Sequence, residues 1–184
     1  EKALEYVKGL GQCRVLDLCA GSGCVGLAIA ANAPQSHVVL GEFDEKALKI
    51  CRQNIRRNAL SGRVLPVQVD ARETPERTLG EFDCIVSNPP YIPTADIEAL
   101  SPEVKREPFA ALDGGADGLT FYRAILRDYV SLVKPGGHIL MEMAYDQAGD
   151  LKRLAAEYLP TAAVEILRDL GGNDRVTHIT LPKH

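Results

Sequence analysis

Nowhere does this sequence run apolar for eighteen residues together, so no membrane-spanning helix is expected. The first ten residues, Glu1 to Leu10, are mixed and charged and do not read as a signal peptide. No CxxC pair occurs, and the five cysteines (Cys13, Cys19, Cys24, Cys51 and Cys84) are odd in number. That argues against a disulfide framework and predicts reduced, mostly buried thiols in a cytoplasmic protein. The four histidines lack zinc-site spacing, so no metal is expected. Internal repeats and low-complexity segments are also missing. So is a basic excess: the net charge is −4, which argues against a general nucleic-acid binder. The acidity is local, because Ile92 to Gly118 holds six acids and two bases and alone carries a net −4. A pocket lip built from that segment should repel phosphate.

What the sequence does contain is an ordinary globular balance, 46% apolar and 25% charged, over 184 residues. That suits one α/β domain, residues 1–184, expected to be monomeric. Strand and helix patterns alternate, which implies a mainly parallel sheet covered on both faces. Helices are expected at 2–10, 23–33, from an Asp44 cap to about 58, 119–133, and from an Asp146 cap to about 158. Strands are expected at 14–18, 37–43, 63–69, 82–87, 138–144, 163–170 and 175–181. The last two meet at Gly171-Gly172-Asn173-Asp174, a hairpin signal, so that pair should be antiparallel. Lys134-Pro135-Gly136-Gly137 reads as a helix stop. Residues 88–116 show no periodicity, and a connection that long is usually functional.

Two strand tips carry chemistry. After the first strand come Asp17-Leu18-Cys19-Ala20-Gly21-Ser22-Gly23-Cys24-Val25-Gly26. The glycines let a ligand approach the backbone at a helix N-terminus, but dinucleotide and S-adenosylmethionine sites share this pattern. Asp17 favours the second: an acid is unhelpful beside a pyrophosphate and favourable near a sulfonium cation. Glu42, ending the second strand, is placed to accept from both ribose hydroxyls, and Asp70, ending the third, could accept from the adenine amino group. At the fourth tip stand Asn88-Pro89-Pro90-Tyr91. Neither proline has an N–H to give a sheet, so the strand stops there. What remains is the Asn88 side-chain oxygen, the carbonyls of Asn88 and Pro89, and the Tyr91 ring. Such a cluster suits a planar –NH2 group, on an amide or an exocyclic amine.

The stretches DLCAGSGCVGLAIA, the acid at Glu42 and VSNPPYIP, in that order, resemble class I S-adenosylmethionine-dependent methyltransferases of the amino-methylating type. EVKREPFAALDGGADGLTFYRAI, LVKPGGHILMEMAYDQ and RDLGGNDRVT narrow the resemblance to the release factor glutamine methyltransferases, over essentially the whole chain. The resemblance implies a Rossmann-like sheet, mainly parallel with an antiparallel C-terminal strand. It implies transfer from S-adenosyl-L-methionine, leaving S-adenosyl-L-homocysteine, to the amide nitrogen of the Gly-Gly-Gln glutamine in a peptide chain release factor. By the same carry-over, Cys19, Ala20, Gly21, Ser22 and Gly23 form the cofactor turn, and Glu42 takes the ribose position, usually Asp in the family. Asn88 touches cofactor and substrate, and Asn88, Pro89, Pro90 and Tyr91 hold the glutamine. Ala71 stands where some members place an aromatic residue beside adenine, and Gly41 replaces an aliphatic one. The family's N-terminal helical domain would precede this sequence. Competing readings are a methyltransferase for an adenine or guanine amino group, a non-catalytic interaction module, and a nicotinamide dehydrogenase. The dehydrogenase leaves Asp17 and the Asn-Pro-Pro-Tyr tip unexplained.

Overall fold

The structure, a computed structural model, describes residues 1–183. One seven-stranded sheet organises them, in the order β3-β2-β1-β4-β5-β7-β6. The strands are β1 (Cys13–Leu18), β2 (Ser36–Glu42), β3 (Val64–Gln68), β4 (Phe82–Ser87), β5 (Val133–Glu142), β6 (Ala163–Arg168) and β7 (Asp174–Thr180). The first five run parallel, and β7 is antiparallel to both β5 and β6. The expected hairpin and Rossmann-like arrangement are therefore present. Central strands such as Val15-Leu16-Asp17-Leu18 and Cys84-Ile85-Val86 are apolar, Asp17 apart, because helices cover both faces.

On one face lie α1 (Lys2–Lys8), α2 (Cys24–Asn32) and α3 (Glu45–Arg57), whose Val7, Ile29, Ala30, Cys51 and Ile55 pack on Val15, Val38 and Leu40. The other face is covered by α5 (Thr120–Arg127) and α6 (Ala148–Tyr158), whose Tyr122, Ile125, Leu151 and Leu154 pack on Leu16, Ile85 and Ile139. Asp44 caps α3 as expected, accepting from the Ala47 N–H at 2.8 Å. Between β4 and α5 the long connection forms short 3-10 turns at 94–99 and 104–106 and the four-residue α4 (Phe109–Leu112). It is stitched back to the sheet tip by an isolated bridge between Ile92 and Asp113.

Three local expectations need correction. The helix expected over 119–133 ends at Arg127, and a 3-10 turn over Tyr129–Leu132 follows. The Tyr129 hydroxyl reaches the Asp70 carbonyl at 3.1 Å, and the tighter turn delivers Val133 directly opposite Phe82. Lys134-Pro135-Gly136-Gly137 accordingly lies inside β5, as an irregularity where the register with β4 shifts, with Gly136 at φ +73°. Finally, α6 is entered through Gln147, not Asp146. The Gln147 side chain turns inward and closes the entry by accepting from the Ala144 N–H at 3.0 Å.

Candidate active site

Strand order reverses between β1 and β4, and parallel α/β sheets open a crevice at such a point. The tips of these two strands form opposite walls of a cavity of about 520 Å³. One wall is the glycine turn, through Asp17, Cys19, Ala20, Gly21, Ser22, Cys24 and Val25. The other is Asn88 to Ile92. Val104, Glu107, Ala111 and Leu112 from the long connection form the roof, and Glu142 from the end of β5 completes the lining. Two larger cavities lie at the opposite edge of the sheet, around Arg14, Asp83 and Lys134, far from these tips.

The turn is held open by positive φ at Cys19 (57°), Gly21 (56°) and Gly23 (85°). Cys19 is the costly member, since a side chain is strained in the left-handed region. A Cβ at Gly21 would meet nothing within 4 Å, so that backbone faces open space. Behind it, the Gly23 position is filled by Leu40, whose Cδ1 would stand 2.8 Å from an added Cβ. Two α3 residues that sequence reasoning missed clamp the turn from behind. The Cys51 thiol donates to the Gly21 carbonyl at 3.1 Å, and the Asn54 amide donates to the Ser22 carbonyl at 3.0 Å. Cys51 had no sequence signal beyond being an apolar residue on α3, and Asn54 had none.

The three acids differ in state. Asp17 is 2% exposed, and its Oδ2 accepts from the Gly26 N–H at 2.7 Å. Burial pushes its carboxyl up to about 7; the Gly26 bond opposes this, and the Glu42 charge reinforces it. Glu42 accepts from Gly21 N–H at 2.7 Å and Asp44 N–H at 2.8 Å, one bond to each carboxylate oxygen. Each oxygen keeps a second lone pair, so the carboxylate can shape the turn and still accept from a ligand. Asp70 is gripped by Arg72 through Nε at 2.9 Å and a terminal nitrogen at 2.7 Å, and it also accepts from the Arg72 N–H. The Arg72 bonds hold its carboxyl below the usual range. Glu42 and Asp70 lie outside the cavity lining, on the adjoining strand ends. Ala71 is buried in the core and offers a ligand little surface. The neighbouring rim is instead exposed Phe43, with the Arg72 guanidinium 5.6 Å above its ring centre. Cys24 is the exposed member of the mostly buried thiols; it stands at the start of α2 and faces the cavity.

On the opposite wall Pro89 and Pro90 are buried and Asn88 is exposed. Among the described residues Asn88 makes no side-chain hydrogen bond, so its oxygen and amide are free for a ligand. Tyr91 is half-buried; burial and then the Glu142 charge push its hydroxyl up, while Arg175 opposes. Burial likewise raises the Glu142 carboxyl, again against Arg175. The Arg175 guanidinium is fixed by the Met143 carbonyl and Asp169, both at 3.3 Å. Glu107, carried by the long connection, also lines the cavity. Glu142 and Arg175 lie in stretches that carry the resemblance, but their approach was not legible there because it depends on the register of β5 with β7.

A family model for the methyltransferase small domain matches residues 4–103. The release factor glutamine methyltransferase of Clostridium botulinum is 34% identical over 96% of this chain and 62% of its own length. The protein of the same name from Geobacter sulfurreducens is 45% identical over 73% of this chain and 46% of its own length. The chain thus spans about half to three-fifths of the length of the curated relatives it matches. A solved structure named protein-(glutamine-N5) methyltransferase (release factor-specific), from Alicyclobacillus acidocaldarius, is 26% identical. It aligns with a TM-score of 0.59 over 99% of this chain and 88% of that one.

Proposed function

This chain belongs to the methyltransferase small domain family, and from that premise we propose that it methylates the side-chain amide nitrogen of a glutamine, the one in the Gly-Gly-Gln loop of a peptide chain release factor. The observation that carries the reading is the pairing of two walls in one cavity: the open glycine turn faces the exposed Asn88 and its two donor-less prolines. The residue set fits S-adenosylmethionine. Gly21 leaves open backbone, Glu42 has spare acceptor capacity toward a ribose, and Asp17 offers a carboxyl beside the turn. When bound, that cofactor supplies an electrophilic methyl group on a sulfonium.

An amide nitrogen is a poor nucleophile, because its lone pair is delocalised into the carbonyl. Asn88 Oδ1 and the Pro89 carbonyl accept its two N–H bonds and hold the nitrogen toward the glycine-turn wall. Accepting those bonds also favours the positive charge that develops on nitrogen. Tyr91 packs on the flat amide face. Methyl transfer from the bound sulfonium would leave a neutral thioether and an amide nitrogen acidic enough to lose one proton to solvent, so no general base among these residues has to act in the transition state. Positioning and oriented dipoles carry the reaction, each worth several kcal/mol. Among the described residues no helix is long and apolar enough to cross a membrane.

The test is methyl transfer from radiolabelled S-adenosylmethionine to a purified release factor, beside the same factor with its Gly-Gly-Gln glutamine replaced. Label on the first alone is the expected result. Equal labelling of both would overturn the glutamine assignment, and label on neither, with the cofactor still binding, would overturn the release factor as this chain's substrate.

A further inference from the structure

The Asn88-Pro89-Pro90-Tyr91 tip has to be rigid to aim an amide, yet its two prolines have no N–H with which to anchor themselves. Its support comes from outside the strand. The Ile92 N–H donates to the Leu112 carbonyl at 3.1 Å, and the Gly114 N–H donates to the Ile92 carbonyl at 2.8 Å. The Tyr91 carbonyl accepts from Gln147 Nε2 at 3.0 Å. Gln147 is 7% exposed, and its other amide atom, Oε1, accepts from the Ala144 N–H at 3.0 Å. The Ala144 donor requires an oxygen at that end of the amide, so the –NH2 end must face Tyr91. A second carbonyl, that of Gly118, lies 3.5 Å from the same nitrogen. One buried amide therefore spans from the end of β5 to the tip of β4, with its donor and acceptor ends both committed.

We propose that Gln147 is a positioning residue for methyl transfer, whose side-chain amide braces the Tyr91 carbonyl and so fixes the wall that presents the substrate amide. The inference deepens the functional reading above and rests on it for the part the tip plays. It predicts a distinctive behaviour for Gln147→Glu. The ionised carboxylate has no donor and sets an oxygen against the Tyr91 and Gly118 carbonyls. Once protonated, the same carboxyl again donates at one end and accepts at the other, as the amide does. A buried carboxyl opposed by carbonyl oxygens protonates well above the usual carboxylate range.

Turnover, cofactor affinity and melting temperature are to be compared for the parent protein, Gln147→Glu and Gln147→Leu. Near pH 8 both variants should lose about 10- to 100-fold in kcat with the S-adenosylmethionine Kd unchanged, the scale on which a remote misplacement acts. As pH falls to about 6, the Gln147→Glu activity relative to parent should recover, following protonation of its carboxyl, while Gln147→Leu should not recover. Amide hydrogen exchange at Tyr91, Ile92 and Gly114 should quicken in Gln147→Leu, while that of β1 and β2 stays as in the parent. Parental kcat in both variants, or losses that follow melting temperature without any pH-dependent recovery, would overturn the brace. Should the parent itself not label the release factor, the substrate reading fails and exchange alone decides: faster exchange confined to the tip upholds the brace, and unchanged exchange ends it.

Discussion

Two single residues separate binding from chemistry. Asn88 is exposed in the cavity wall and supports no other described side chain, so removing its amide leaves the packing untouched. Asn88→Ala should lower kcat by about 10²- to 10³-fold, as loss of one aimed polar contact does elsewhere. The accompanying change in cofactor Kd should be much smaller, and single-turnover kinetics with calorimetry would show it; equal loss of both would remove Asn88 from its part in the chemistry. Asp17 behaves differently because its carboxyl titrates near 7 in the free protein. A cation bound beside it favours the ionised form, so binding releases a proton below that value. Cofactor affinity should rise with pH, by at most about tenfold per unit, and level off above about 7. The same raised pKa acts oppositely on the unliganded fold. Its stabilising contribution is present below the ordinary Asp value and lost as pH rises through about 7. Calorimetric titrations across this range should slope in the parent and flatten in Asp17→Asn; equal slopes would show that another group controls binding.

At the scale of elements, the tip of β4 is packed as tightly as a core. An added Cβ at Gly118 would lie 2.4 Å from the Tyr91 carbonyl oxygen and 2.9 Å from Gln147 Nε2, and φ there is +72°. Neither the backbone carbonyl nor the braced amide can move cheaply. Gly118→Ala should therefore destabilise by about 2–4 kcal/mol and lower turnover beyond what the melting curve accounts for. A variant with parental melting temperature and kcat would show that this packing is slack. The same elements explain what the sequence made legible. Periodicity found β1 to β4, α2 and α3 within a residue or two, because each shows a local apolar pattern, and α3 also has a local cap at Asp44. It misplaced the end of α5 because the break at Asp128 answers to a distant partner, the Tyr129 bond to Asp70. Asp146 looked like a cap by residue type, whereas Gln147 closes the turn because its amide has partners at both ends. In the site, the glycines, Asp17 and the Asn-Pro-Pro-Tyr tip were legible as motifs. Cys51 and Asn54 were not, and Glu142, Gln147 and Arg175, though they lie in stretches that carry the resemblance, had no legible part, because each acts through a long-range contact.

For the whole molecule, the sheet order dictates where the parts meet. The chain leaves β1 through α2 to one side, returns through β4 on the other, and so opens the crevice between two separately packed faces. A ligand seated there touches the N-terminal end of α2 and the tip of β4 at once, and these belong to different cores. Its binding energy should therefore appear as global stability and not as the tightening of one loop. At a free concentration of about 100 times Kd, a ligand bound only by the folded state adds about 2.7 kcal/mol. In a chain of this size each kcal/mol raises the midpoint by about 2–4 °C, so S-adenosylhomocysteine should raise Tm by about 5–10 °C in one cooperative transition. Cys24 gives a local check on the same event, since its exposed thiol lies in the cavity wall. Its alkylation should be slowed by the ligand in proportion to occupancy, while Cys13 and Cys84, buried in the sheet, stay unreactive until the protein melts. Protection of Cys24 without a rise in Tm would mean that the turn still holds the ligand after the rest of the fold has melted, so that the two walls do not melt as one unit.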